Sequence, residues 1–136
     1  MKKIFLIATV ALLGLSSCDK DDDDCEQNMA GVSGTYKLTA MKYRPSGSTN
    51  EIDLYAFLEA CEKDDLTVLN ANGTYAYQDA GTVCDPNGSF NGTWTMSGSS
   101  ITVDGESGTI QSFDCDNIVF YTEDSGDRIT FTYVRQ

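Results

Sequence analysis

The chain has 136 residues, 40% hydrophobic and 10% aromatic, with a formal net charge of −12. That length suits one domain, and the composition supports a packed core and excludes wholesale disorder. So acidic a chain offers no electrostatic footprint for nucleic acid, and the lack of histidine removes His-based nucleophiles, zinc sites and general bases.

Lys2 and Lys3 precede an apolar run, Ile4–Leu15, which ends in Ser16, Ser17 and Cys18. The run falls short of the roughly 20 residues that span a bilayer. A basic start, a short apolar stretch and small residues predict a secretory signal over residues 1–17. Leu15-Ser16-Ser17-Cys18 also resembles the bacterial lipobox. That resemblance implies a mature chain that starts at a lipidated Cys18 and reaches the membrane through that lipid. More than one acyl chain is needed for stable anchoring, and a lipoprotein cysteine carries several.

Asp19-Lys20-Asp21-Asp22-Asp23-Asp24 and Glu26 follow. Residues 18–30 read as a lipidated acidic tether, self-repelling and solvated. The run also resembles the acidic signal that sends Bacteroidetes lipoproteins to the outer face of the outer membrane. A periplasm-facing lipoprotein is the other outcome. Residues 31–136 hold six basic and fifteen acidic side chains, so the acidity is not confined to the tether.

From Gly31 onward the pattern alternates with period two and breaks at Gly, Asn or Asp. Thr35–Tyr43 is the first expected strand. Ile52, Leu54, Tyr55 and Leu58 recur at helical spacing after Asn50, which predicts one short helix over 51–60. Strands follow at Leu66–Asn70 and Thr74–Gln78, joined through Asn72-Gly73. After the loop 79–88 comes Ser89–Ser97, where Phe90, Trp94 and Met96 share one face. Ser100–Asp104, Thr109–Cys115, Ile118–Glu123 and Arg128–Arg135 complete the set, with a turn expected at 105–108. Eight strands with short connections predict an antiparallel up-and-down β-barrel, closed to remove its edges, with one short helix after the first strand. A two-sheet β-sandwich is the alternative.

Gly34-Thr35-Tyr36-Lys37-Leu38, Cys61-Glu62-Lys63-Asp64-Asp65, Asn72-Gly73-Thr74-Tyr75, Cys84 and Gly92-Thr93-Trp94-Thr95-Met96 together resemble the lipocalin-like lipoprotein domains of Bacteroidetes. The resemblance spans about residues 31–136 and implies a small calyx-shaped barrel, mostly with no assigned activity. Tyr36 stands where lipocalins proper place a tryptophan.

With Cys18 lipidated, Cys25, Cys61, Cys84 and Cys115 remain, an even set that argues for disulfides and allows three connectivities. No C-x2-C spacing points to a metal. The family's cysteine pair implies Cys61–Cys84, which leaves Cys25 to Cys115.

The carboxylates Glu59, Glu62, Asp64 and Asp65 read as a solvated helix end, and those in turns as turn chemistry. No catalytic constellation, metal or cofactor is expected. Tyr36, Phe90, Trp94, Phe120, Phe131 and Tyr133 are the candidate wall of a pocket for a small apolar ligand. Their plain role would be to fill an eight-stranded interior. The expectation is a monomeric, non-enzymatic binding module, with a protein- or glycan-interacting surface module and a filled barrel as the alternative.

Overall fold

The computed structural model describes residues 25–136; the expected signal, Cys18 and the acidic run 19–24 lie outside the described residues. The period-two segments form strands β1 (Gly34–Arg44), β2 (Ile52–Asp53), β3 (Leu66–Leu69), β4 (Thr74–Gln78), β5 (Phe90–Ser97), β6 (Ser100–Val103), β7 (Glu106–Phe113), β8 (Asn117–Asp124) and β9 (Asp127–Arg135). All neighbours pair antiparallel in sequence order from β3 to β9, and β1 pairs with both β3 and β9. Eight strands therefore close an up-and-down barrel, and β2 is a two-residue addition beside the far half of β1. Closure leaves no long unpaired edge for another chain to template on.

Alternation sends one residue in two inward, as a pleated strand must. The inward set gives the core: Val32, Tyr36, Leu69, Tyr75, Trp94, Ile101, Ile110 and Ile118. Trp94 is 1% exposed, and its indole N–H donates to the Asn70 carbonyl at 2.9 Å. Gly73, at φ +85°, makes the β3–β4 turn and hands its carbonyl to the Trp94 N–H. Any residue with a Cβ would be strained in that backbone conformation.

The helix differs from expectation. The segment 51–60 holds β2 and a single 3-10 turn, Tyr55–Phe57, whose first free N–H region is served by Asp53 Oδ1 accepting from Ala56. Its apolar residues do not share a buried face: Ile52 pairs opposite Tyr43 at the sheet edge, and Phe57 is 78% exposed. Without a face to bury, a run this short gains too little to nucleate a helix. The α-helix, α1 (Met29–Val32), instead precedes β1 and is capped by Asn28, whose side chain accepts from the Gly31 N–H at 2.9 Å. Val32 is fully buried and Met29 packs against the core. Residues 25–30, expected as the tether's end, are thus tied to the domain.

Two disulfides staple the fold. Cys25 bonds to Cys115 in the β7–β8 turn, and Cys61 bonds to Cys84 in the β4–β5 loop. One holds the entry chain against the end that α1 covers. The other joins the long connection before β3 to the long loop before β5.

Candidate functional site

α1, the β3–β4 and β5–β6 turns and the end of β9 close one end of the barrel. Met29 approaches Gly73, and Gln27 donates to the Gly98 carbonyl. Tyr36 stands on this floor. Its hydroxyl donates to the Val32 carbonyl at 2.7 Å and accepts from Arg135 Nη2 at 2.7 Å; the same nitrogen donates to the Gly31 carbonyl. Burial pushes the Tyr36 phenol up, against the opposing pull of Arg135.

The other end is open, and the register shows why. β6 ends at Val103, opposite Trp94, and its turn bonds to Thr93. β5 begins four residues before Trp94, at Phe90, and there pairs only with β4. The short β6–β7 hairpin leaves that stretch of β5 without a partner on its second side. The expected turn at 105–108 is tighter than anticipated, so Glu106 already belongs to β7 and stands in the same register set as Gly108.

Above the floor lies a cavity of about 310 Å³. That is at the small end of ligand sites in folded proteins. Tyr36, Phe90, Phe120, Phe131 and Tyr133 line it. So five of the six aromatic positions singled out in the sequence meet at one cavity. Trp94 does not line it; the indole packs under the floor, where its hydrogen bond to Asn70 holds it.

The sequence reading missed Tyr75 and Tyr77, which also line the cavity. Both alternate inward on β4 around Ala76, a signal present in Thr74–Gln78 itself. Phe90 stacks on Tyr77 with ring centroids 5.2 Å apart and meets Tyr75 edge-on at 5.8 Å. Across the cavity Phe120 stacks on Phe131 at 5.0 Å and on Tyr133 at 5.9 Å. These are the offset and edge-to-face arrangements that aromatic quadrupoles favour. Leu69, Ile101, Val103 and Ile118 supply aliphatic wall, and Thr67, Thr122, Gly108 and Glu106 complete it. Phe90 is 48% exposed although it lines the cavity, which places it at the mouth.

Gly92 is required by this wall. A Cβ there would collide with the Tyr75 ring and the Asp104 carboxylate. The Tyr75 hydroxyl donates to Asp104 Oδ2 at 2.8 Å, and Thr93 N–H donates to Oδ1 at 2.8 Å. Burial first, and the Asp104 hydrogen bond second, push the Tyr75 phenol up to about 12. The Tyr77 hydroxyl donates to Asp65 Oδ2 at 2.5 Å, and the same two causes raise its pKa. Tyr133 is raised by burial, partly offset by a hydrogen bond with Thr67.

A smaller pocket of about 90 Å³ adjoins, sharing Thr67, Tyr77 and Tyr133 and adding Leu38, Leu58, Glu62 and Asp65. A separate polar groove of about 420 Å³ runs over the outer wall between Lys42, Arg44, Gln111 and Arg128. It is larger but lies on the outward register of β1 and β9. Its cations are partly committed, Lys42 to Glu51 and Arg128 to Glu123.

Among the described residues, no group of three or more Cys, Asp or Glu is placed to hold a metal, and no helix is long and apolar enough to cross a membrane. The arrangement offers an apolar, aromatic-walled container with one open end.

Neither the curated proteins nor the solved structures gave a match to this chain. The family model for the lipocalin-like domain matches residues 32–125, from the end of α1 to the β8–β9 turn, and proteins of that family are generally binders rather than enzymes. The match takes in most of the chain and all but the last strand of the barrel, so the protein belongs to the lipocalin-like domain family.

Proposed function

We propose that this protein is a lipid-anchored binding module whose barrel holds one small apolar molecule. The observation that carries the reading is the open cavity of about 310 Å³ walled by seven aromatic side chains: Tyr36, Tyr75, Tyr77, Phe90, Phe120, Phe131 and Tyr133. A barrel of this size can be filled outright by its own side chains. Here Trp94, the largest candidate filler, sits below the floor and leaves the space above it empty of side chain. A filled barrel acting only through its outer surface would have no need of that cavity.

The anchor and address rest on the sequence. Cys18 directly follows the apolar run, and the acidic residues Asp21–Asp24 follow Cys18. We read these as a lipidated N-terminus at the outer membrane, facing the cell exterior. On that reading the Cys25–Cys115 disulfide fixes the tether's attachment to the closed end of the barrel. The mouth would then face away from the membrane.

The test is titration with the uncharged fluorophore N-phenyl-1-naphthylamine. The expected result is saturable one-to-one binding, with a rise in Tm by mass action worth about 2.7 kcal/mol at a hundredfold excess over Kd. Phe90→Ala should weaken the probe severalfold while costing little stability, since Phe90 is half exposed. No saturable binding would remove the ligand reading. For the anchor, Cys18→Ala should abolish lipid labelling and release the protein from membranes. Retention of membrane attachment would refute the assignment.

A further inference from the structure

We propose that the molecule held in the cavity is a cationic amphiphile, with an apolar tail among the barrel aromatics and an ammonium head at the mouth beside Glu106. This rests on the ligand-binding reading above and adds the charge of the ligand to it.

Every formally charged side chain that lines the cavity or its adjoining pocket is a carboxylate: Glu106 in the first, Glu62 and Asp65 in the second. Glu106 stands on β7 in the same register set as Gly108 and Ile110, where alternation would otherwise place an apolar residue. It is exposed at the open end, so its charge is hydrated until a ligand arrives. Among the described residues no lysine lines the cavity or the adjoining pocket, and Lys63 lies over the Tyr55 ring, 5.4 Å from its centroid. Arg135 is beyond Tyr36 at the closed end and does not line the cavity. An anionic head, such as a fatty-acid carboxylate, would meet carboxylates and no cation in the lining.

The aromatic rim supplies the second half of the site. Phe90 stands at the mouth, with the Tyr77 ring stacked on it and the buried Tyr75 ring edge-on to it. Ring faces attract cations, most strongly where water is excluded, and clustered rings are the known solution for quaternary ammonium groups. Two of these rings are further enriched. The Tyr75 and Tyr77 hydroxyls donate their hydrogen bonds to Asp104 and Asp65. Donation to an anion shifts electron density into the phenol ring and deepens the negative potential over its face. The carboxylates, including Asp104 just outside the lining, also attract a cation through the few ångströms of the rim.

The experiment compares octyltrimethylammonium, 1-octanol and octanoate by calorimetric titration at low ionic strength, below micellar concentrations. It uses the disulfide-bonded protein from Asp19 onward, since every barrel pairing lies within residues 25–136. The expected order is ammonium, then alcohol, then carboxylate, with the ammonium roughly tenfold tighter than the carboxylate. Glu106→Gln should cut that ratio by about threefold, and added salt should narrow it in the same direction. Octanoate binding as tightly as octyltrimethylammonium would overturn the proposal, as would a ratio unaltered by Glu106→Gln. Octanol binding without charge preference leaves the apolar cavity standing and removes the cationic ligand. Failure of all three probes removes both.

Discussion

Trp94→Ala should cost about 4–5 kcal/mol of stability. The side chain is 1% exposed and lies among Val32, Tyr36, Ile101 and Ile110 in the core cluster. Large-to-small replacement of a buried aromatic removes the transfer free energy of the ring and leaves a cavity, typically about 3–5 kcal/mol together. The indole N–H donor to the Asn70 carbonyl is lost as well, which adds about 1 kcal/mol. The closed end has little freedom to collapse into the space, because the Cys25–Cys115 disulfide and the Tyr36–Arg135 hydrogen bond hold its two sides. The assay is denaturant unfolding with disulfides intact, followed by far-UV circular dichroism, since the variant lacks the only tryptophan. Tm should fall by roughly 15 °C for a domain of this size. Trp94→Phe keeps an apolar ring and separates the two contributions; its cost should be nearer 1–2 kcal/mol. In the native protein Trp94 emission should be blue-shifted and resistant to iodide. A loss below about 1.5 kcal/mol for Trp94→Ala, or ready quenching of Trp94, would refute the placement of this residue at the buried floor.

Three further outcomes follow from other parts of the molecule. Replacing Cys61 and Cys84 together by serine frees a loop 23 residues long and should cost about 3 kcal/mol, and non-reducing peptide mapping should find these two cysteines linked. Gly92→Ala should weaken both stability and probe binding, because its Cβ displaces the Tyr75 ring and Asp104; a neutral Gly92→Ala in thermal unfolding would contradict the close approach. Tyr75 has a folded pKa raised to about 12 against 10 in the unfolded chain. Its contribution is therefore fully present below about pH 10 and declines as pH rises from 10 toward 12, because the unfolded phenol ionises first. Ultraviolet titration should show a tyrosine that ionises late, and Tyr75→Phe should flatten the alkaline loss of stability.

The strands were legible because their physics is local. Alternation in Phe90–Ser97 and Arg128–Arg135 fixes which side chains turn inward once one face is buried, and a one-residue slip would reverse them all. Burial of Trp94 follows from that alternation alone. Its exclusion from the cavity does not, because height along the barrel depends on how far each hairpin extends. The β6–β7 hairpin is short, and only its pairing with β5 shows that Trp94 is opposite Val103, at the end of β6, while Phe90 belongs to a stretch of β5 that β6 does not reach. Tyr75 and Tyr77 are within reach of the same alternation, on either side of Ala76 in β4. The segment 51–60 misled for another reason. Helical spacing of Ile52, Leu54, Tyr55 and Leu58 has meaning only where a neighbour covers the resulting stripe, and here the main chain is claimed by the sheet: Ile52 pairs with Tyr43, and Leu54 N–H donates to the Met41 carbonyl. α1 was hidden in the supposed tether, although Asn28 before Met29 and Val32 is a cap followed by apolar residues three apart.

The asymmetry between the barrel's two ends is what turns a core into a container. Eight strands enclose a space that Leu, Ile and aromatic side chains are able to fill, so an empty region needs a cause. At the closed end α1 inserts Val32, Tyr36 spends its hydroxyl on the Val32 carbonyl and Arg135, and Trp94 is held against Asn70. Each bulky group there is fixed by a hydrogen bond at its tip and is unable to slide upward. Above the floor Tyr75 and Tyr77 are likewise pinned at their tips, to Asp104 and Asp65. Two sets of polar anchors thus fix the tips of the large rings around the cavity. Releasing one set is the decisive perturbation. Tyr75→Phe combined with Tyr77→Phe keeps both rings and removes both anchors, so the rings become free to tip into the cavity. Probe affinity should drop severalfold while the fold persists, as measured by N-phenyl-1-naphthylamine titration beside circular dichroism. Unchanged affinity in that double variant would mean that packing of Phe90 alone holds the cavity open.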